Sequence, residues 1–292
     1  MFSFARVLVW CSCLAFLVAR VQAEEPKAGG EPTLRARLAK RSQEMIEAAR
    51  FHQLVKDKET VVPVRKQSLI RHNDAERGEQ GGLWVVGEKG RPVAVAGIWT
   101  KPESTTWVFS ARSLSSELGV GGLFMPGATP WDPETVGMKF SQIPLNKKSG
   151  NRKDMKPATT ASRRFSQMKL QARRFGGHEK WQGQRHELRL LPKELYRYKD
   201  PSKGIVDGAL FSIAHNTNTE CYLMIEVQEK DGVQDWYYAL GRFGYAELHI
   251  NIDKKEVWKQ PQIYTEGLTA GPKEAYHQIV VPKAAALKRK AA

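Results

Sequence analysis

Two copies of Arg-x-x-Asp-x-x-x-Gly stand out among the residues able to do chemistry: Arg71, Asp74 and Gly78, then Arg197, Asp200 and Gly204. One account is turn chemistry. Asp74 and Asp200 open a turn by accepting backbone N–H groups, Gly78 and Gly204 take positive φ, and each arginine pairs with its neighbouring carboxylate. The other account makes Arg71 and Arg197 anion clamps, each beside a carboxylate. Metal chemistry is poorly served. Histidines 52, 72, 178, 186, 215, 249 and 277 show no ligand spacing. His178-Glu179 and His186-Glu187 begin like the zinc-protease helix motif, but the position of the second histidine holds Gln182 or Leu190. With no Asp-rich calcium loop and no Gly-rich loop ending in Lys-Ser/Thr, no metal and no cofactor is expected.

Nucleophilic catalysis has no local sign either. The sequence lacks a Gly-x-Ser-x-Gly elbow, and Cys221 sits in Cys-Tyr-Leu-Met-Ile, which reads as a strand with a buried thiol. No catalytic residue is assigned, although a Ser–His–Asp set dispersed between two halves of a fold stays open, because triads are defined by geometry. Trp84, Trp107, Trp131, Trp181, Trp236 and Trp258 would stack on sugars if several faced solvent together; most lie in or beside strands, where core packing is their ordinary role.

Charge is unevenly placed. The chain carries +15. Residues 147–174 hold ten basic residues, Lys147, Lys148, Arg152 and Lys153 among them, against the single acid Asp154. The tail adds Lys283, Lys288, Arg289 and Lys290. The rest is balanced, so the excess belongs to a linker and a tail. Such segments attract polyanions: nucleic acid, an acidic wall polymer or anionic headgroups. The linker lacks the interleaved aromatics that stack bases, and a solvated, charged linker is the preferred account.

Residues 1–23 have the three-part pattern of a secretory signal: Arg6, an apolar run from Val7 to Val18, and Val21-Gln22-Ala23 ahead of two glutamates. A spanning helix needs about 20 apolar residues, and Arg20 interrupts this shorter run. Cleavage after Ala23 is expected, giving a periplasmic or secreted chain with no later membrane span. Cys11 and Cys13 would leave with the signal, so Cys221 would have no partner for a disulfide.

The elements that must position these residues repeat. Leu69–Val86 overlays 195–213, aligning Arg71, Asp74 and Gly78 with their counterparts. Further on, Trp107-Val-Phe answers Trp236-Tyr-Tyr, Arg112 answers Arg242, and Trp131 answers Trp258. Phe140–Pro144 answers Gln278–Pro282. Each copy opens on a helical period. Leu34, Leu38, Met45 and Ala49 share a face behind Thr33; Phe165, Met168, Ala172 and Phe175 do so behind Thr159 and Thr160, with Gly176-Gly177 as a stop. Glu247–Ile252 alternates as a half-buried strand. The expected fold is therefore α+β: two tandem helix-plus-antiparallel-β-meander units, arranged either as two domains or as one pseudo-twofold body. The expected boundaries are a signal peptide at 1–23, an N-terminal linker at 24–33 and a first unit at 34–144. A basic linker at 145–158, a second unit at 159–282 and a basic tail at 283–292 follow.

The run Leu188–Tyr198 (LRLLPKELYRY), then Asp207-Gly-Ala-Leu-Phe211 and Trp236-Tyr-Tyr-Ala-Leu, resembles a group of secreted proteins of planctomycete-type bacteria to which no activity is attached. The resemblance implies export and a shared fold, and no chemistry. The expected function is a non-catalytic extracytoplasmic binding or structural module, with an anionic polymer or another extracytoplasmic protein as partner. Polyanion binding through the linker and tail, and a hydrolase with a site between the units, are the alternatives.

Overall fold

The computed structural model describes residues 33–74, 78–145, 156–263 and 271–282. Its first half runs α1 (Leu34–Ala48), β1 (Arg50–Val55), β2 (Lys58–Val62), β3 (Ile70–Asp74), β4 (Glu79–Val86), β5 (Ala94–Thr100), β6 (Thr106–Ser113), β7 (Val120–Leu123) and β8 (Ser141–Gln142). The second half runs α2 (Ala161–Ala172), β9 (Phe175–Trp181), β10 (Gln184–Leu190), β11 (Tyr196–Asp200), β12 (Ile205–His215), β13 (Asn218–Lys230), β14 (Val233–Arg242), β15 (Glu247–Ile252), β16 (Lys255–Gln260) and β17 (Tyr276–Pro282).

One pairing scheme occurs twice, all antiparallel. β1 pairs β2 and β7, as β9 pairs β10 and β15. The ladder β3-β4-β5-β6 matches β11-β12-β13-β14. The closing strands are exchanged. β8 ends the first half but pairs β14, while β17 ends the second half but pairs β6. Val281 lies opposite Trp107, and Ile143 N–H donates to the Trp236 carbonyl at 2.9 Å.

The expected α+β fold of two helix-plus-meander units is thereby corrected. Strands dominate, only two α-helices occur among the described residues, and the nine-stranded sheet includes β8 from the other half. That sheet curls into a half barrel. β10 shares only two residue pairs with β12 before turning away to β9, and β11 takes up the remainder of β12. Hydrophobic periodicity finds helices and strands but carries no information on which strand closes which sheet.

The described core forms three clusters. Met45 and Ile46 of α1, with its C-cap Ala49, pack with Trp84 and Phe109 of β4 and β6 and with Trp131. Met168 and Ala172 of α2 pack with Phe211, Leu223 and Trp236. Between the two sheets lies a seam of Leu83, Val95, Tyr222, Met224 and Tyr276, drawn from both halves. The Cys221 thiol is buried on the α2 side of β13, and burial pushes it up to about 12, so it stays a packed thiol.

Local signals act largely as their chemistry dictates. Thr33 Oγ1 accepts from Ala36 N at 3.2 Å, and Thr160 Oγ1 from Arg163 N at 3.4 Å. Gly176 and Gly177, expected to stop α2, already belong to β9. A Cβ on Gly177 would lie 2.0 Å from the His249 carbonyl oxygen, so this glycine serves the close approach of β9 and β15. Leu34 of the expected α1 stripe is half exposed, and Ile46 takes the buried place.

β9 and β15 also bring two histidine rings together, stacked at 4.4 Å. His249 lies between Glu256 and Glu247, each 2.6 Å from a ring nitrogen. Arg185, which can only donate, reaches His178 Nε2 at 3.2 Å. Burial, then the charges of Arg185 and His249, hold His178 below its ordinary pKa. A histidine depressed in the fold is protonated first in the unfolded chain, at about pH 6.5. Its contribution is complete above that pH and is lost as pH falls towards the lower folded value. Glu247, held at about 2 by His249 and Lys259, contributes above the ordinary carboxylate range and adds no slope near neutrality. The melting temperature is expected to fall between pH 7.5 and 5.5, and a His178→Gln variant to show a flatter profile over that interval.

Candidate functional site

Alternation along β13 decides what enters the seam. Odd positions from Cys221 to Val227 face α2, while Tyr222 and Met224 face the seam. Glu220 and Glu226 share that parity and bracket the apolar run, so a buried carboxylate stands at each end of the seam face, 3% and 0% exposed respectively.

One end is plugged. Arg91, from the β4–β5 connection, grips Glu226 with Nε at 2.8 Å from Oε1 and Nη2 at 2.5 Å from Oε2. Tyr198 O–H donates to Oε1 at 2.7 Å and Gln228 Nε2 to Oε2 at 2.7 Å. The guanidinium lies over the Phe140 ring at 4.5 Å. Burial and the Glu226 carboxylate keep the Tyr198 phenol protonated well above its ordinary range.

The other end is open, as a cavity of about 620 Å³. Glu79, Trp99 and Lys101 come from the first half; Glu179, Trp181, His186 and Glu220 come from the second. Trp99 and Trp181 are both partly exposed. On the floor, Tyr276 O–H and Ser110 O–H both donate to Gln278 Oε1, at 2.6 and 3.1 Å. Arg242 fixes the wall 243–246 from inside, donating to the carbonyls of Gly244 at 3.0 Å and Ala246 at 2.6 Å, and to Pro261 at 2.8 Å. Asn218 Nδ2 donates to Glu220 Oε1 at 3.0 Å. Burial raises the Tyr245 and Tyr276 phenols above their ordinary range, so both present O–H groups near neutrality.

The residues singled out by sequence lie elsewhere. Arg71 is exposed on β3. Arg197 forks onto Asp207, with Nε at 3.0 Å and Nη2 at 2.8 Å, donates to the Ala161 carbonyl at 2.8 Å and covers the Phe165 ring at 4.5 Å. It therefore ties α2 to β11 and β12. Its carboxylate partner is Asp207 rather than Asp200, whose Oδ1 accepts from the Ser202 hydroxyl at 2.6 Å. Gly78 and Gly204 do take positive φ, 67° and 68°. Lys147, Lys148, Arg152 and Lys153 lie outside the described residues. Within α2 and its end, part of the basic excess is paired internally: Arg164 with Asp207, Lys169 with Glu194, Arg174 with Asp253.

Trp84, Trp131 and Trp236 are core residues, and Trp107 is 3% exposed. Sequence reasoning missed Trp99, Glu179, Glu220 and the Arg91–Glu226 pair. The signal available was the six-residue spacing of Glu220 and Glu226 around an apolar run, which puts both on one strand face. His178-Glu179 and His186-Glu187 lie on paired strands, Glu179 opposite His186, and not on a helix. Among the described residues no three His, Cys, Asp or Glu side chains are grouped to hold a metal ion, and no helix is long and apolar enough to cross a membrane. Comparison with family models, with curated proteins and with solved structures gives no match.

Proposed function

We propose that this is an exported, non-catalytic binding module, and that binding takes place in the open end of the seam. The observation that carries the reading is the cavity of about 620 Å³ itself, built from both halves with aromatic rings and polar groups together. Small-molecule sites have about this size and mixed lining. Both floor hydroxyls are spent on Gln278. That arrangement supports a fixed binding surface better than an activated nucleophile, which needs a base in hydrogen-bond reach. Export rests on the signal pattern of residues 1–23 and on the likeness to secreted proteins.

A thermal-shift screen of the full mature chain against agmatine, cellobiose and citrate tests the reading. Stabilisation by one of them, lost in a Trp99→Ala/Trp181→Ala variant that melts like the parent, is the expected result. Failure of all three, or a shift that survives in the variant, overturns it.

Polyanion binding through the linker and tail is the second reading, favoured by the concentration of charge in 147–156 and 283–290. It predicts polyphosphate binding that weakens steeply with salt, disappears when those segments are neutralised, and ignores the two tryptophans.

A further inference from the structure

We infer that the seam pocket takes a neutral sugar, a ligand whose pyranose rings carry equatorial hydroxyls; this rests on the pocket being the binding site. Two observations carry it. The first is where the tryptophans stand. Trp181 closes the β9–β10 hairpin opposite Gln184, and the residues between them, Gln182 and Gly183, take positive φ of 50° and 76°. A tight two-residue hairpin demands such a turn, and it fixes Trp181 and Gln184 side by side on one face. Trp99 stands two residues past Gly97 on the seam face of β5 and lies opposite Gly81, so on its β4 side no directly opposed side chain covers it. Each half thus brings one partly exposed indole to the same cavity. An equatorial pyranose has the complementary shape. Its C–H bonds gather on the two ring faces, which pack on indole, and its hydroxyls radiate round the rim, where each both donates and accepts.

The second is the character of the groups around the rings. Glu79, Glu179, Glu220 and Lys101 line the cavity, but each already has a partner within the protein, so these charges are engaged before a ligand arrives. An ionic ligand would have to compete for them. Beside them stand amides: Gln182 and Gln184 are exposed, Asn218 is half-buried and Gln278 buried. An amide sets a donor beside an acceptor, the pattern that two neighbouring hydroxyls complement. Tyr245 and Tyr276 stay as O–H groups near neutrality, so uncharged hydrogen-bonding groups surround the two indoles. A planar base would use such groups along one edge only. A sugar, with a hydroxyl on most ring carbons, uses them all round. The cavity of about 620 Å³ has room for a disaccharide.

Isothermal titration of the full mature chain with cellobiose, and separately with citrate and agmatine, tests this. Cellobiose is expected to bind, and the two ions are not. Its affinity should fall about tenfold or more in Trp181→Ala, the usual cost of removing an aromatic anchor, and should fall also in Trp99→Ala. Trp181→Phe keeps a ring at the end of the hairpin, so it should recover part of the loss and guards against misfolding of the alanine variants. Binding of citrate or agmatine through the tryptophans, without cellobiose binding, would overturn the sugar inference and leave the pocket as the binding site. Silence of all three overturns both. Cellobiose binding unchanged in the two alanine variants would also overturn both, since the sugar would then sit elsewhere.

Discussion

Replacing Arg91 by alanine is expected to cost about 3–5 kcal/mol of folding stability, the usual consequence of leaving a buried carboxylate without its cation. Glu226 is 0% exposed, and Arg91 is its cationic partner in a bidentate pair. Tyr198 and Gln228 would still donate to the carboxylate but could not neutralise it. Arg91→Met combined with Glu226→Gln should recover most of the loss, because the amide oxygen still accepts from Tyr198 and no charge is stranded. Urea unfolding of the parent and the two variants measures this; a cost below about 1 kcal/mol for Arg91→Ala, the range of an exposed pair, would show that Glu226 is not a buried charge. The pair joins the β4–β5 connection to β13, so the loss should appear in the unfolding of both halves together.

Trp131→Ala should be nearly as damaging, at about 3–5 kcal/mol for a fully buried large aromatic. Its ring meets Phe51 edge-on at 6.4 Å and Phe124 at 6.2 Å, and its Nε1–H donates to the Glu274 carbonyl at 2.9 Å. That last bond fixes the chain just before β17, the strand the second half lends to the first. Trp131→Phe keeps most of the packing and loses that bond, so it should fall between the parent and the alanine variant. Equal midpoints for the parent and Trp131→Ala would contradict the packing described.

How much of this was legible in the sequence depends on the range of the interaction. Thr33, Thr160, Gly78 and Gly204 act within a few residues of themselves, and their roles follow from residue type alone. Leu248, Ile250 and Ile252 alternate into the core as their spacing requires, and the following turn places Asp253 and Lys254 at positive φ, as a tight hairpin needs. Arg197 shows where the reading stops. Its nearest carboxylate in sequence is Asp200, but the pairing of Tyr198 with Gly208 brings Asp207 beside it instead. The pocket was out of reach for the same reason. Glu79, Trp99, Glu179, Glu220 and Gln278 lie on five strands of two sheets, and no spacing links them. The exchange of β8 and β17 leaves no local trace either, since each is a short run whose partner is set by the tertiary fold.

The central claim is that core and pocket belong to both halves at once. A protease site placed within residues 146–155, cut in the folded protein and followed by size exclusion without denaturant, tests it directly. The two pieces are expected to elute together as one species of unchanged size, held by β8 on β14, β17 on β6 and the shared seam. Elution as two separate folded pieces would contradict the exchanged strands, and with them a binding site built from both halves.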